Sequence, residues 1–202
     1  ARLSGEENPI HTDEDIARLI TAGAGVLRSI TIAPELFSAR QVSMLIDGGI
    51  VVCLGHTDAT YEQTRAMFDQ GARVLTHAFN GMPGIHHRKP GPVMAAIDGE
   101  DFTELIADGH HVHEPVAKLL PAERVILVTD AMSATGQPDG SYALGDTEVS
   151  VVDGVPRDRF GSLAGSTLKM AQAVQNYASW TGSIELALRA AITNPRRAYG
   201  IE

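Results

Sequence analysis

The chain has 202 residues, 16 Lys and Arg against 25 Asp and Glu, a formal net charge of −9 and an apolar fraction of 44%. With no basic run longer than Arg88-Lys89, that charge excludes the electrostatic footprint of a nucleic-acid or anionic-membrane binder, while the apolar content suits one domain, or a large piece of one, around a true core. The single Cys53 excludes a disulfide framework and any multi-cysteine zinc site, and reads as a reduced, buried thiol of a cytoplasmic protein. No apolar stretch reaches membrane-span length and no leader pattern is visible; a first residue that is Ala1 and not Met is expected of a portion of a longer protein.

In chain order, Thr12 and Asp15 stand at capping-box spacing before a helical pattern of Ile16, Leu19 and Ile20 that closes near Gly23. The run Ile30-Thr31-Ile32-Ala33 follows. Ser38 and Gln41 then open a helix carrying Val42, Leu45 and Ile46 that ends near Gly48, ahead of the run Ile50 to Leu54. Thr60 and Gln63 open a third, with Met67 and Phe68, ending near Gly71 before Arg73-Val74-Leu75-Thr76. A weaker strand over Phe102 to Ala107 and a short helix after Pro115 precede Val125-Ile126-Leu127-Val128. None of the apolar runs alternates, so each predicts a strand buried on both faces, in a parallel sheet covered by helices. Residues 133–162 read as an excursion containing a β-hairpin, from the Asp139-Gly140 and Asp153-Gly154 pairs and the loose alternation of Tyr142, Leu144, Val149 and Val151. Ser166 is expected to start a helix through about Trp180, closed by Gly182, and Ser183 to cap a last one reaching a break at Asn194-Pro195. About five βα units in a row predict an α/β fold and leave a doubly wound sheet and a barrel both open.

Sites of parallel α/β folds form at the carboxyl ends of strands, where this chain places Glu35, His56, His77 and Asp130. His77 lies 21 residues after His56, one βα unit, so two imidazoles can sit on neighbouring strand ends. Such a pair is preorganised for a divalent cation; the plainer alternative is that each caps its strand. Asp130 ends the most apolar strand and is expected to be buried at the mouth of a dry core, where a general base gains from a raised pKa; alone it could equally be a turn carboxylate. In Asp108-Gly109-His110-His111-Val112-His113 an extended segment would let His111 and His113 share a face, or His110 act alone. Arg88, among His86, His87 and Lys89, is the main cationic cluster and can receive an anion bidentately, unless the loop is merely solvated. Gly161 to Ser166, just before a predicted helix, offers amides at a helix N-terminus.

Taken together and in this order, Leu54-Gly55-His56-Thr57-Asp58-Ala59-Thr60, Thr76-His77-Ala78-Phe79-Asn80-Gly81-Met82-Pro83, His87-Arg88-Lys89-Pro90-Gly91, Ile106 to His111, Val128-Thr129-Asp130-Ala131 and Leu163-Ala164-Gly165-Ser166 closely resemble the N-acetylglucosamine-6-phosphate deacetylase family of the amidohydrolase superfamily. The resemblance spans nearly the whole chain. It implies a partial TIM-type (β/α) barrel, with residues 1–202 as the C-terminal portion of a single catalytic domain containing about the last five strands. It implies that His56 and His77 bind the metal, that Asp130 is the catalytic acid/base, and that Asn80, Gly81, Arg88, His111 and Leu163, Ala164 and Gly165 contact substrate. It also implies a homodimer of the complete enzyme, with Arg88 reaching the phosphate across the subunit interface.

The family's carboxylate metal ligand lies in a Leu-Glu-Gly-Pro segment, followed by a substrate-binding His, and this chain contains neither; the family's small β-sandwich is missing too. Glu35 is a tempting replacement, although the family has a similar Ala-Pro-Glu segment that is not so used. A site of two imidazoles and one carboxylate suits zinc, the leading choice, or iron, manganese or cobalt. The expected activity is metal-dependent deacetylation of a 6-phosphorylated N-acetyl amino sugar. Two alternatives compete with it: another amidohydrolase, such as one acting on a cyclic amide, for which Arg88 would have no phosphate to hold, and a barrel fragment without turnover.

Overall fold

Residues 12–201 are described by a computed structural model, and they fall into two units. The first runs to Glu104 and takes up Asn194 onwards; the second is Leu105–Thr193.

In the first unit, β1 (Ser29–Ile32), β2 (Val51–Leu54), β3 (Val74–Leu75) and β4 (Phe102–Ile106) are parallel neighbours in that order. The registers are Ile32 opposite Leu54, Leu54 opposite Leu75 and Leu75 opposite Thr103, so the strand ends that carry Glu35, His56 and His77 come in step. The helices α1 (Asp13–Ala22), α2 (Ala39–Asp47) and α3 (Tyr61–Gln70) begin where expected, and all three capping boxes are formed at Thr12, Ser38 and Thr60. Val42, Leu45, Val52, Leu54, Val74 and Leu75 are fully buried, as continuous apolar strands beneath amphipathic helices require. A helix that the sequence did not suggest, α4 (Gly91–Asp98), starts at Pro90 with Pro92 in its first turn. The Pro-Gly-Pro run looks like a breaker, yet proline is tolerated where the N–H has no partner anyway.

β4 is shared between the two units, its last two residues belonging to the second, and β5 (Val125–Val128) follows it in the strand order. Spatial order equal to chain order, without the reversal of a doubly wound sheet, is that of a (β/α) barrel. The fold is therefore mixed α/β with a five-stranded parallel sheet, a partial barrel.

The second unit also holds α5 (Glu114–Ala117) and the excursion, which has three antiparallel strands where one hairpin was expected: β6 (Gly140–Leu144), β7 (Thr147–Val152) and β8 (Val155–Asp158). Asp153-Gly154 is the β7–β8 turn, with φ of 52° and 74°, the pattern that a two-residue hairpin loop needs. Asp139-Gly140 is not a hairpin turn. The Asp139 carboxylate instead accepts the N–H groups of Asp153 and Gly154 at 2.6 and 3.1 Å, and Gly145-Asp146 makes the β6–β7 connection. Met132, Ala134, Val149, Val151 and Ala164 form the core beneath this sheet.

Two helix boundaries differ from expectation. α6 (Met170–Thr181) starts four residues after Ser166 and ends at the left-handed Gly182, while α7 (Ile184–Leu188), capped by Ser183, passes through a π-helical turn over Arg189–Thr193. Asn194-Pro195 is no break: the π-helical turn leads directly into α8 (Asn194–Tyr199), in the first unit.

Candidate functional site

In the first unit, β2 and β3 end in His56 and His77, and their Nε2 atoms stand 2.8 Å apart with the rings edge to face. Both residues have left-handed backbones, with φ of 49° and 29°, a conformation that costs a residue with a Cβ about 1–3 kcal/mol and persists where surrounding structure enforces it. Here the enforcement is visible. Gly81 N–H and Cα follow a turn in which Asn80 donates its side-chain amide to the carbonyl oxygens of His77 and Ala78 at 3.2 and 3.1 Å, and the Gly81 carbonyl accepts the Thr57 N–H at 3.0 Å. Gly81 itself has φ of +60°, and a Cβ there would lie 2.9 Å from His56 Nδ1.

Glu35 is engaged by the turn after His56. Thr57 donates its hydroxyl to one carboxylate oxygen and the Asp58 N–H donates to the other at 2.8 Å, which braces the turn directly after His56. His77 is braced from β4: its N–H points to Glu104 Oε2 at 3.3 Å, while Tyr199 at the end of α8 donates to Glu104 Oε1 at 2.6 Å. Burial and then the Glu104 charge push the Tyr199 phenol well above its ordinary range, so it stays a proton donor. Burial and the same charge push the Cys53 thiol up to about 12, which makes it an inert, reduced core residue, as its sequence context implied. Glu104 and Tyr199 were missed from sequence, although a lone acid inside the apolar run Phe102 to Ala107 was a signal.

Arg88 is the third residue of a tight turn closed by the Lys89 N–H and His86 carbonyl at 2.9 Å. All four turn residues are exposed. Among the described residues Arg88 makes no ion pair.

In the second unit, Asp130 follows β5 with φ of 49°, the third proposed site residue to end a strand in the left-handed region. The expected burial is corrected: Asp130 is exposed, because the chain has left the sheet by that point. The Leu163-Ala164-Gly165-Ser166 segment pairs with it. Ser166 N–H donates to the Asp130 carbonyl at 2.7 Å, Met132 N–H returns to the Ser166 carbonyl at 2.8 Å, and a Cβ on Gly165 would meet the Asp130 carbonyl at 3.1 Å. These amides therefore serve a strand-like bridge. They are not at a helix N-terminus, since α6 begins beyond them.

The Asp108 to His113 segment is bent, not extended, because Asp108 folds it. One carboxylate oxygen accepts the His110 and His111 N–H groups, both at 2.8 Å, and the other meets His111 Nδ1 at 2.6 Å. His111 alone of the three is thereby fixed, its side chain 5% exposed, while His110 and His113 lie open to solvent. Burial pushes the Asp108 carboxyl up, but the His111 ring, the His111 amide and charge and the His110 amide outweigh it and leave the carboxyl below its usual range. His111 and Leu163 line one cavity of about 320 Å³, with Asp108, Lys169 and Asn176.

Two nitrogens on one tetrahedral cation stand about 3.3 Å apart for bonds of about 2.0 Å, so the His56 and His77 Nε2 atoms, in hydrogen-bond contact at 2.8 Å, are spaced to within about half an ångström of two ligand positions. Among the described residues no group of three or more His, Cys, Asp or Glu is arranged to hold a metal ion. The two imidazoles thus fit part of a divalent site and could furnish two nitrogen donors to it.

A parallel, chain-ordered sheet with histidines on adjacent strand ends defines a partial (β/α) barrel with a candidate divalent-metal site. No family model matches the chain. The chain is 44% identical over 194 residues to an N-acetylgalactosamine-6-phosphate deacetylase of Escherichia coli O157:H7, covering 93% of this chain and 52% of that protein, and 42% identical to an N-acetylglucosamine-6-phosphate deacetylase of Vibrio furnissii, covering 94% and 49%. A shorter relative in Escherichia coli K12, bearing the name of an N-acetylgalactosamine-6-phosphate deacetylase, is 46% identical over 62% of this chain and 78% of its own length. The N-acetyl-D-glucosamine-6-phosphate deacetylase of Mycobacterium smegmatis, as a D267A mutant in complex with N-acetyl-D-glucosamine-6-phosphate, superposes with a TM-score of 0.88 at 39% identity, over 95% of this chain and 53% of that one. The chain belongs to the family of N-acetylglucosamine- and N-acetylgalactosamine-6-phosphate deacetylases. It spans about half the length of the first two relatives.

Proposed function

We propose that this chain carries the nitrogen metal ligands and the acid/base group of an enzyme that hydrolyses N-acetylglucosamine 6-phosphate to glucosamine 6-phosphate and acetate. The observation that carries the reading is the convergence of His56 and His77 Nε2 at 2.8 Å on adjacent strand ends in a chain of this family. His56 and His77 would hold a divalent cation, zinc first, which when bound polarises the acetyl carbonyl and acidifies water. Asp130 takes the proton of the water that adds to the carbonyl carbon and returns it to the amine nitrogen as the C–N bond breaks; one carboxylate does both because it ends the first step protonated. Asn80, Gly81, His111 and the Leu163 to Gly165 segment contact the sugar, and Arg88 holds the phosphate, across the interface of a homodimer. Asp108 favours that role for His111 by fixing its ring. The buried, reduced Cys53 agrees with a cytoplasmic location, and among the described residues no helix is long and apolar enough to cross a membrane.

A second substrate has a specific observation behind it. The relatives from Escherichia coli are named for the galacto epimer, so N-acetylgalactosamine 6-phosphate is the competing sugar.

The test is acetate release by the whole protein from both phosphosugars, with metal content of wild type, His56→Ala and His77→Ala by elemental analysis. Turnover of one phosphosugar and loss of most bound metal in both variants is the expected result. Full metal content in both variants overturns the ligand assignment.

A further inference from the structure

Glu104 is an acid where a buried parallel strand calls for an apolar residue. It is the third residue of β4, set between the buried Thr103 and Leu105, and it grips the neighbouring strand end twice. Its Oε2 faces the His77 N–H at 3.3 Å, and its own carbonyl oxygen accepts the Ala78 N–H at 2.7 Å. Tyr199 fills the other carboxylate oxygen at 2.6 Å, and the Cys53 thiol lies 3.9 Å from that same hydroxyl. The chain that results runs from α8 through β4 to the residue whose ring points at His56.

Glu104 is half-buried, and a carboxylate in this place is costly unless its oxygens are satisfied, a cost that an apolar residue would avoid. What an apolar residue cannot do is accept a hydrogen bond from a backbone bent to a φ of 29°. That bend is what turns the His77 ring out of the run of β3. We propose that Glu104 and Tyr199 are positioning residues for metal binding, fixing the His77 main chain and through it the direction of Nε2. The inference rests on the reading of His77 as a metal ligand. Neither residue touches the metal or the substrate. They resemble in function the outer partners that orient metal-binding histidines, with the difference that the grip is on the backbone instead of the ring.

The experiment measures Co(II) and Zn(II) dissociation constants by chelator competition in the whole protein, for wild type, Glu104→Gln, Tyr199→Phe, His77→Ala and the core control Val42→Ala. The amide proton shift of His77 is read in parallel by NMR on 15N-histidine-labelled protein without metal. Expected are a weakening of metal binding of about 10- to 100-fold in Glu104→Gln and about 10-fold in Tyr199→Phe, each with an upfield move of the His77 amide proton. Val42→Ala, which loses stability by cavity formation, should leave both readouts unchanged. Should Glu104→Gln fail to fold, Tyr199→Phe decides, since it deletes one oxygen from a side chain of otherwise equal shape. Wild-type metal affinity with an unmoved His77 amide in the variants, beside strong loss in His77→Ala, overturns this inference and leaves the metal reading standing. Unchanged affinity in His77→Ala as well overturns both.

Discussion

Gly81 and His56 are held so close that a single methyl group cannot be placed between them: a Cβ at Gly81 would lie 2.9 Å from His56 Nδ1. Glycine is needed twice over, for that approach and for its φ of +60°. Gly81→Ala is expected to lose about 1–3 kcal/mol of stability through backbone strain and to push the His56 ring off its line to His77. Metal affinity should therefore fall by more than the stability loss explains. Isothermal titration with zinc beside urea denaturation checks this, and a variant that is destabilised but binds zinc normally would show that the ring has room to move.

The elements most legible in the sequence were those fixed by local chemistry. Thr12, Ser38 and Thr60 each announce a helix start because the cap and its reciprocal partner lie three residues apart, and all three boxes formed. His56 and His77 were legible as a pair because parallel strands in register bring equivalent ends together. Glu104, Tyr199 and the bend at Asp108 depend on partners or backbone angles that no local pattern encodes. Ser166 misled for a related reason: serine before an apolar run looks like an N-cap, yet its hydroxyl donates to the Thr129 carbonyl and accepts the Leu168 N–H at 3.0 Å, so it tethers a bridge to the end of β5 and the helix waits until Met170.

The Asp108–His111 pair gives a pH-dependence with a definite sign. A carboxyl held below its usual range in the folded protein adds stability that is fully present above its unfolded value, about 3.9, and that disappears as pH falls through the lower folded value. In Asp108→Asn that contribution is gone. The stability difference between wild type and the variant should thus stay level from about pH 6 down to about 4 and shrink below it, measured by urea unfolding at stepped pH. A difference that stays level down to about pH 2 would show that the Asp108 charge contributes nothing to the fold.

Asp130→Asn tests the acid/base role without disturbing the backbone, since asparagine is among the residues that best tolerate a φ of 49°. The exposed carboxylate makes no contact whose loss should unfold the chain. Metal content and thermal stability are expected to match wild type, while kcat falls by about 10² to 10⁴, the usual worth of a positioned general acid/base. Near-normal turnover at saturating substrate would hand proton transfer to another group.

Arg88 decides the substrate class. It stands at the tip of the exposed His86–Lys89 turn, in a chain whose net charge is −9, so the local cationic cluster opposes the overall field and has a use for an anion. Because Arg88 makes no ion pair among the described residues, its removal should change stability by no more than about 0.5 kcal/mol, and any kinetic loss reads binding directly. Bidentate contact with a phosphate dianion predicts that Arg88→Ala loses about 1.5 to 3 kcal/mol, the range for hydrogen bonds to charged groups, expressed mostly as a higher KM. The unphosphorylated N-acetyl sugar should be affected little, since it offers the guanidinium nothing to hold. Arg88→Lys should recover part of the loss, keeping the charge without the planar fork. Equal weakening of phosphorylated and unphosphorylated sugar in Arg88→Ala would instead assign the residue to subunit contact or loop structure, and the phosphate would need another receiver.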